Sequence, residues 1–158
     1  MARRISKRKQ PEKEVKQLKA VEKISGKVLD EKTISVLVDF INNKVIKSLD
    51  YPISTGKEAV VFKSTSATGG NLAVKLFKYE TSRFHNMLDY IQGDKRFEHQ
   101  IHNKRELVNV WARKEFANLK KCFAAGVRVP KPIKYKQNVI VMEFIGENNV
   151  ATPILAKV

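Results

Sequence analysis

Residues 58–77 read EAVVFKSTSATGGNLAVKLF, two runs of β-forming residues on either side of a Gly-rich turn. The runs are residues 58–64 and 72–77, and Thr68-Gly69-Gly70-Asn71 between them is a strong turn signal. Two such runs joined by a short turn predict an antiparallel β-hairpin. The second strand carries Lys75, a cation in an otherwise apolar run, so this hairpin is also the first candidate for a functional site.

A long helix is expected beyond this hairpin. Asn103 and Glu106 fit an N-cap residue and its partner three positions later. Between Leu107 and Phe123, apolar side chains recur every three or four residues, as on the buried stripe of a helix. Ala125-Gly126 is typical of a helix end.

Two more strands are expected after the long helix. Residues 131–136 and 139–145 predict a second hairpin with Gln137-Asn138 at its turn. Earlier in the chain, Tyr51-Pro52 opens an extended stretch that supplies a fifth strand.

The beginning of the chain is basic and then helical. The first ten residues contain Lys and Arg but no acid, which favours a solvated, disordered tail. Residues 12–24 predict a short amphipathic helix. Residues 31–49 predict a longer helix, for which Asp30 is the expected N-cap.

These elements predict an α+β fold, with a five-stranded antiparallel sheet, one long helix and additional N-terminal helices. The expected boundaries are a disordered tail at 1–10, N-terminal helices at 11–49, a nucleotide-binding lobe at 50–147 and the start of a connection to a further lobe at 148–158.

Composition narrows the class of protein. The 158 residues are 42% hydrophobic, which is enough for the packed core of one domain or one lobe. No apolar run approaches the roughly 20 residues that span a bilayer, so we expect no membrane partner. Cys122 is the single cysteine, which favours a reducing compartment and a cytoplasmic location. The net charge of +15 makes polyanions, either nucleic acid or nucleotide phosphates, the expected partners.

A candidate phosphate-binding loop precedes the first hairpin. On the kinase pattern G-x-G-x-x-G-x-V, Ser54, Gly56 and Ala59 occupy the three glycine positions and Val61 the valine position. Small residues there let backbone N–H groups approach an anion. The other residues of this loop are Thr55, Lys57 and Glu58. Since only one of the three positions is glycine, an ordinary β-turn is the alternative.

Lys75 has a candidate partner in the long helix. Strand alternation puts Ala73, Lys75 and Phe77 on one face of the sheet. Glu115 flanks the apolar stripe of the helix, and a partly buried carboxylate requires a cation. In kinases, a strand lysine holds the α/β-phosphates and pairs with a helix glutamate. The alternative is that both side chains are simply exposed.

The last strand is a candidate for adenine recognition. Met142, Glu143, Phe144 and Ile145 end an apolar run, as in the segment that joins the two lobes of a kinase. The backbone groups of Glu143 and Ile145 are expected to bind the adenine edge, with Met142 at the back of the pocket. Val61 and Ala73 are expected to enclose the purine, and an ordinary edge strand is the alternative.

Four strings in this order are similar to the RIO family of atypical serine/threonine protein kinases: STGKEAVVF, LAVKLFKYETSRF, WARKEFANLKKCFAAGVRVPKPI and VIVMEFIGE. The resemblance covers about Leu49 to Glu147 and is greatest to the archaeal and eukaryotic subgroup without a winged helix. It implies binding of ATP with Mg²⁺, serine autophosphorylation or ATP hydrolysis, and a role in small ribosomal subunit maturation. Val60-Val61-Phe62 departs from the family's more usual Asn-Val-Tyr.

The family's catalytic Asp, the Asn after it and the metal-binding Asp are expected beyond the hinge. All five aspartates of this chain precede the hinge, so we expect these residues and the Mg²⁺ ligands in a C-terminal lobe that this chain lacks, and we expect the chain alone to be inactive. Thr81 and Ser82, in the long loop of residues 78–103, are candidate autophosphorylation positions. The three histidines are interpreted as loop residues and not as metal ligands, namely His85, His99 and His102.

Two other classes of function stay open. The positive charge and basic N-terminus are also typical of a non-catalytic module that binds pre-ribosomal RNA or the small ribosomal subunit. A regulatory partner that docks on a complete kinase through the long helix would show an exposed apolar surface.

Overall fold

A computed structural model of the chain describes residues 29–80 and 103–153. The elements in order are α1 (Glu31–Asn42), β1 (Ile46–Thr55), β2 (Ala59–Ser66), β3 (Asn71–Phe77), α2 (Lys104–Ala124), β4 (Pro132–Lys136), β5 (Val139–Glu143), β6 (Gly146–Glu147) and β7 (Val150–Ala151). Of the helices described, neither is both long and apolar enough to cross a membrane.

The first five strands form one antiparallel sheet in the order β1-β2-β3-β5-β4. The predicted α+β fold, with five antiparallel strands and one long helix, is therefore confirmed. β3 lies at the centre because β5 pairs with it after the chain has passed through α2. Both predicted hairpin turns are present, and Gln137 adopts a φ of 50° at the second one.

The two faces of the sheet are covered by different helices. Alternate residues of the central strands, such as Phe62 and Val74, point to one face and pack with Val36, Leu37 and Phe40 of α1. Thr33 accepts a hydrogen bond from buried Asn138 at the β4–β5 turn, which ties α1 to the far end of the sheet. Apolar side chains of the described residues therefore fill this face.

The other face carries α2. Leu107, Val108 and Ala112 of this helix are buried against Phe77 and Ile140 of the sheet. The predicted cap is present, since the Asn103 side chain accepts from the Glu106 N–H at 3.0 Å. Towards its C-terminal end α2 is exposed, and Phe123 shows 43% of its surface. Part of this face of the sheet is therefore left uncovered for a cleft.

The expectation of one helix across residues 31–49 is wrong beyond Asn42. Asn43 caps α1 and Lys44 adopts a φ of 56°, which turns the chain into β1 at Ile46. Asp30 does cap the helix as predicted, by accepting from the Thr33 N–H at 2.8 Å. The apolar period continues past the helix because Val45 and Leu49 pack on the same core from outside it.

The expected connection at 148–158 begins as a small hairpin. β6 and β7 pair around Asn148 and Asn149, whose φ angles are 49° and 64°. Two consecutive left-handed residues between short strands are typical of a type I′ turn, and the Asn-Asn dipeptide was the sequence signal for it. Gly146 is required at the start, because a Cβ there would collide with the Val150 carbonyl oxygen.

Several expected features lie outside the described residues. They are the basic tail at 1–10, the helix at 12–24, most of the loop at 78–103 and the five loop residues Thr81, Ser82, His85, His99 and His102.

We expect Phe40→Ala to lower the free energy of unfolding by about 3–5 kcal/mol, because a fully buried aromatic side chain leaves a cavity. Phe123→Ala is the matched control, since that ring is 43% exposed and alanine favours a helix. Urea unfolding followed by circular dichroism measures both. Equal losses in the two variants would contradict the assignment of the core.

Candidate functional site

A cleft of about 380 Å³ opens on the α2 side of the sheet. Its floor includes Val61 and Lys75, which are directly opposite each other on β2 and β3. The loop between β1 and β2 lies over it. The described residues that line the cleft are Ser54, Gly56, Lys57, Glu58, Ala59, Val61 and Lys75. Of the predicted phosphate loop, only Thr55 is not among these lining residues.

One row of side chains crosses the sheet beneath this cleft. Ser54, Val61, Lys75, Ile140 and Tyr135 are successive partners across β1, β2, β3, β5 and β4. Directly opposite residues of neighbouring strands share a face. The tertiary structure therefore places the loop, the apolar residue and the cation of the candidate site in one line.

Lys75 contacts Glu115 as the sequence predicted. The Lys75 Nζ donates to Glu115 Oε1 at 2.6 Å, and the Phe77 ring lies 4.8 Å from the same ammonium. The two side chains are 24% and 36% exposed. Lys75 lines the cleft, so its ammonium is able to contact an anion there while Glu115 holds it.

The position of Glu115 is fixed by its neighbour in α2. Phe116 stacks on Tyr135 of β4, with ring centroids 5.5 Å apart and planes inclined by 29°. Because Tyr135 belongs to the same row as Lys75, this stacking places Glu115 above the row. An offset aromatic pair contributes about 0.5–1.5 kcal/mol beyond the area it buries.

The N-terminal end of α2 has a second anchor. The Arg105 guanidinium lies 2.6 Å from Asp30 at the start of α1 and 4.5 Å from the centre of the Tyr79 ring. The Tyr79 hydroxyl donates to Asn109 at 2.9 Å. Burial, and then the Asp30 charge, raise the pKa of Tyr79 to about 12, so the hydroxyl keeps its proton and stays a donor.

The candidate adenine segment follows β5. Ala73 and Met142 are direct cross-strand partners on the cleft side, in the row next to that of Lys75. The Glu143 N–H donates to the Lys131 carbonyl, and its carboxylate accepts from the Lys131 N–H. The Ile145 carbonyl accepts from Thr152. Within residues 29–80 and 103–153, the Ile145 N–H makes no hydrogen bond, and Phe144 is buried behind the segment.

A buried ion pair in the Ala73 row was missed from the sequence. Lys63 lies opposite Ala73, is only 7% exposed, and donates to Asp50 at 2.7 Å. Asp50 also accepts from Ser48 and Thr65. The only sequence signal was the alternation of Val61, Lys63 and Thr65 on one face of β2, which does not identify an acidic partner on another strand.

The cluster around Asp50 makes the free energy of unfolding depend on pH in the acidic range. Burial by itself raises the pKa of Asp50, but hydrogen bonds from Lys63, Ser48 and Thr65 and the charge of Lys63 outweigh it, so the pKa lies below the usual range. A lowered pKa in the folded state adds stability above the unfolded pKa of about 4, and this stability is lost as the pH falls through the folded value.

We expect Asp50→Asn to make the free energy of unfolding less dependent on pH below about pH 5. Wild type should lose more unfolding free energy than the variant between about pH 5 and pH 2, because only wild type must protonate this carboxylate. Urea titrations at a series of pH values measure the difference. Asp39→Asn, in a more exposed ion pair with Lys136, is the control. Parallel curves for wild type and Asp50→Asn would contradict the role of the cluster.

The strand order, the helix on one face and the Lys75–Glu115 pair over the cleft define the N-terminal lobe of a protein-kinase-like domain. A family model described as "RIO domain" matches residues 60–158. The chain therefore belongs to the RIO family, as its motifs predicted.

Relatives named as kinases match most of the chain. The RIO-type serine/threonine-protein kinase Rio1 of Haloferax volcanii is 44% identical over 124 residues, which is 78% of this chain and 43% of that protein. Serine/threonine-protein kinase RIO1 of Homo sapiens is 35% identical over 133 residues, 83% of this chain and 23% of that protein. The chain thus spans less than half the length of these relatives.

A solved structure with a similar fold is the Rio2 kinase–ADP/Mg²⁺–phosphoaspartate complex from Chaetomium thermophilum. The TM-score is 0.52 with 22% identity, and the match covers 74% of this chain and 34% of that one. At this identity the likeness supports the fold of the lobe.

Proposed function

We propose that this chain is the ATP-binding lobe of a RIO-type serine/threonine protein kinase. The observation that carries the proposal is the partly exposed Lys75–Glu115 ion pair, whose lysine lines the cleft beneath the loop of residues 54–59. A lysine held by a carboxylate yet open to solvent is suited to bind a polyphosphate, because the anion gains a charge-assisted hydrogen bond to an ammonium that is already oriented.

In this proposal the nucleotide lies over two neighbouring rows of cross-strand partners, the row of Lys75 and the row of Ala73. Lys75 and the amides of the loop bind phosphate oxygens. Val61 and Ala73 contact the purine, with Met142 beside them. The Ile145 N–H is the available donor for the adenine edge, and the Glu143 carbonyl is the proposed acceptor. A cleft with apolar walls and a few directed polar groups is typical of a small-ligand site.

In this proposal the Mg²⁺ ligands are contributed from outside this chain, as the family resemblance implies. Within the described part of the chain, no three His, Cys, Asp or Glu side chains cluster as a metal site. When bound, Mg²⁺ neutralises phosphate charge during transfer of the γ-phosphoryl group. We propose that this chain binds and orients ATP, and that the metal ligands and the catalytic base belong to the C-terminal lobe that the family resemblance implies.

The proposal for the intact kinase also covers its location, its cellular role and its autophosphorylation positions. The intact kinase would act in the cytoplasm in maturation of the small ribosomal subunit, by phosphoryl transfer or ATP hydrolysis. Thr81 and Ser82 stay predicted autophosphorylation positions.

We expect Lys75→Ala to weaken ATP binding by roughly 10- to 100-fold in the full-length gene product that contains this chain, since a hydrogen bond to a charged group contributes about 1.5–3 kcal/mol. Glu115→Gln should weaken it less, because Glu115 acts through Lys75. The double variant should be no weaker than Lys75→Ala alone. Isothermal titration calorimetry measures all three.

Lys134→Ala, at an exposed position on the edge strand β4, is the control and should bind ATP as wild type does. Equal ATP affinity in wild type and Lys75→Ala would overturn the proposed function. Additive losses for Lys75 and Glu115 would overturn the role of their ion pair.

A second candidate function is RNA binding by a basic surface. Between Phe116 and Met142 the sequence has no Asp or Glu, while its cations are all exposed: Lys120, Lys121, Arg128, Lys131, Lys134 and Lys136. Such an excess of exposed cations favours contact with a phosphate backbone.

We expect binding to single-stranded RNA to weaken steeply with salt. Replacing Lys120 and Lys121 together with alanine should reduce the log–log salt slope by about 1.4, because each lysine would neutralise one phosphate and each neutralised phosphate of a single strand adds about 0.7 to the slope. Fluorescence anisotropy at several salt concentrations measures the slope. Lys47→Ala, an exposed lysine on β1, should leave it unchanged. A slope that is the same in every variant would contradict this surface.

A further inference from the structure

Lys78 holds the candidate phosphate loop at two points. It follows β3, and its backbone N–H donates to the Glu58 carbonyl at 2.8 Å. Its side-chain Nζ donates to the Gly56 carbonyl at 2.9 Å. Both hydrogen bonds come from Lys78, and they restrain the two ends of the short segment from Gly56 to Glu58. They join the loop to β3, the strand that carries Lys75.

Lys78 reaches this loop from outside the cleft. The described residues that line the cleft include Lys57 and Lys75 but not Lys78. Its ammonium contacts a backbone carbonyl, whereas that of Lys75 contacts a carboxylate and is open to the cleft. The two lysines therefore make different contacts: Lys75 pairs with Glu115, and Lys78 binds the backbone of the loop.

The contact at Gly56 also orients a hydrogen-bond donor. In a planar trans peptide, the C=O and the N–H of one unit point in opposite directions. The Gly56 carbonyl points towards Lys78, so the N–H of the next residue, Lys57, points away from Lys78. A cation on the carbonyl oxygen also polarises the peptide unit, which strengthens its N–H as a donor to an anion.

Gly56 itself makes one further backbone contact within the turn. The Gly56 N–H donates to the Ala59 carbonyl at 2.9 Å, which closes the turn. Gly56 and Lys57 are otherwise exposed. Glycine at 56 adds backbone freedom that has to be restricted before the loop can present its amides in one arrangement. The Lys78 side chain supplies this restriction at the residue that needs it.

We propose that Lys78 is a positioning residue that fixes the Gly56–Glu58 segment and aims the Lys57 N–H at the phosphates of the nucleotide. The inference rests on the proposed ATP site and adds to it a residue that acts through the loop. Lys78 restrains the loop before the nucleotide arrives, so binding loses less conformational entropy.

The test compares Lys78→Met, which removes the donor, with Lys78→Arg, which keeps one. Lys134→Met is the matched control at an exposed position on β4. ATP and adenosine are titrated into each full-length protein by calorimetry. We expect Lys78→Met to weaken ATP binding roughly tenfold, which corresponds to about 1.4 kcal/mol. The affinity of Lys78→Met for adenosine should stay within about twofold of the wild-type value, because adenosine has no phosphates. Lys78→Arg should keep most of the wild-type affinity for ATP.

A second readout is made without nucleotide. Amide hydrogen exchange of Gly56, whose N–H closes the turn, should become roughly tenfold faster in Lys78→Met and stay unchanged in Lys78→Arg and Lys134→Met. Faster exchange reports a looser loop in the free protein. A lysine that only contacted phosphate would leave this exchange rate unchanged.

The outcomes separate the two proposals. No ATP binding by wild type, or none that depends on Lys75, overturns the proposed function and this inference with it. ATP binding that depends on Lys75 but is unchanged in Lys78→Met overturns the role of Lys78 alone. Weaker ATP binding with unchanged Gly56 exchange means direct phosphate contact by Lys78 and overturns positioning. If Lys78→Arg does not keep both the ATP affinity and the slow Gly56 exchange of wild type, the hydrogen bond to the Gly56 carbonyl is not the cause of the effect.

Discussion

The ion pair between Lys75 Nζ and Glu115 Oε1, 2.6 Å long, joins β3, whose Lys75 lines the cleft, to α2. It forms only when α2 is seated on the sheet. Apolar packing against the sheet seats this helix. The stacking of Phe116 on Tyr135 and the approach of Arg105 to Asp30 and Tyr79 fix it further. Glu115 is therefore positioned by contacts at the N-terminal end and in the middle of its own helix, and any change that shifts α2 also moves the partner of Lys75.

The sheet separates stability from function by its two faces. The α1 face is a closed apolar core around Phe40, Phe62 and Val74. The α2 face has a smaller core at one end and the cleft at the other. Because strand residues alternate between faces, each of β2 and β3 contributes to both tasks, and Val74 and Lys75 differ in role although they are neighbours. Buried Lys63, paired with Asp50, shows that the cleft face is polar beyond Lys75 as well.

Much of the fold could be predicted because its signals are local. Turn residues located both hairpins, and Asp30 and Asn103 located the starts of both described helices. The helix predicted over 31–49 failed where the local pattern was ambiguous, since Val45 and Leu49 continue the apolar period from within a turn and a strand. The hairpin of residues 146–151 had a usable signal in Asn148 and Asn149, which are suited to left-handed turn positions.

The sequence by itself determined the family, most of the elements and the candidate residues of the proposed nucleotide site, because periodicity, caps and motif strings depend on neighbouring residues. Only the tertiary structure decided which of these residues meet. Lys75 and Glu115 are separated by 40 positions, and Lys78 and Gly56 by 22, so their contacts depend on strand order and helix docking. The pairing of Lys63 with Asp50 depends in the same way on the register of β1 and β2, which is irregular at three points. The tertiary structure sets these distances, because residues so far apart in sequence approach each other only when the strands pair in this register and α2 docks on the sheet.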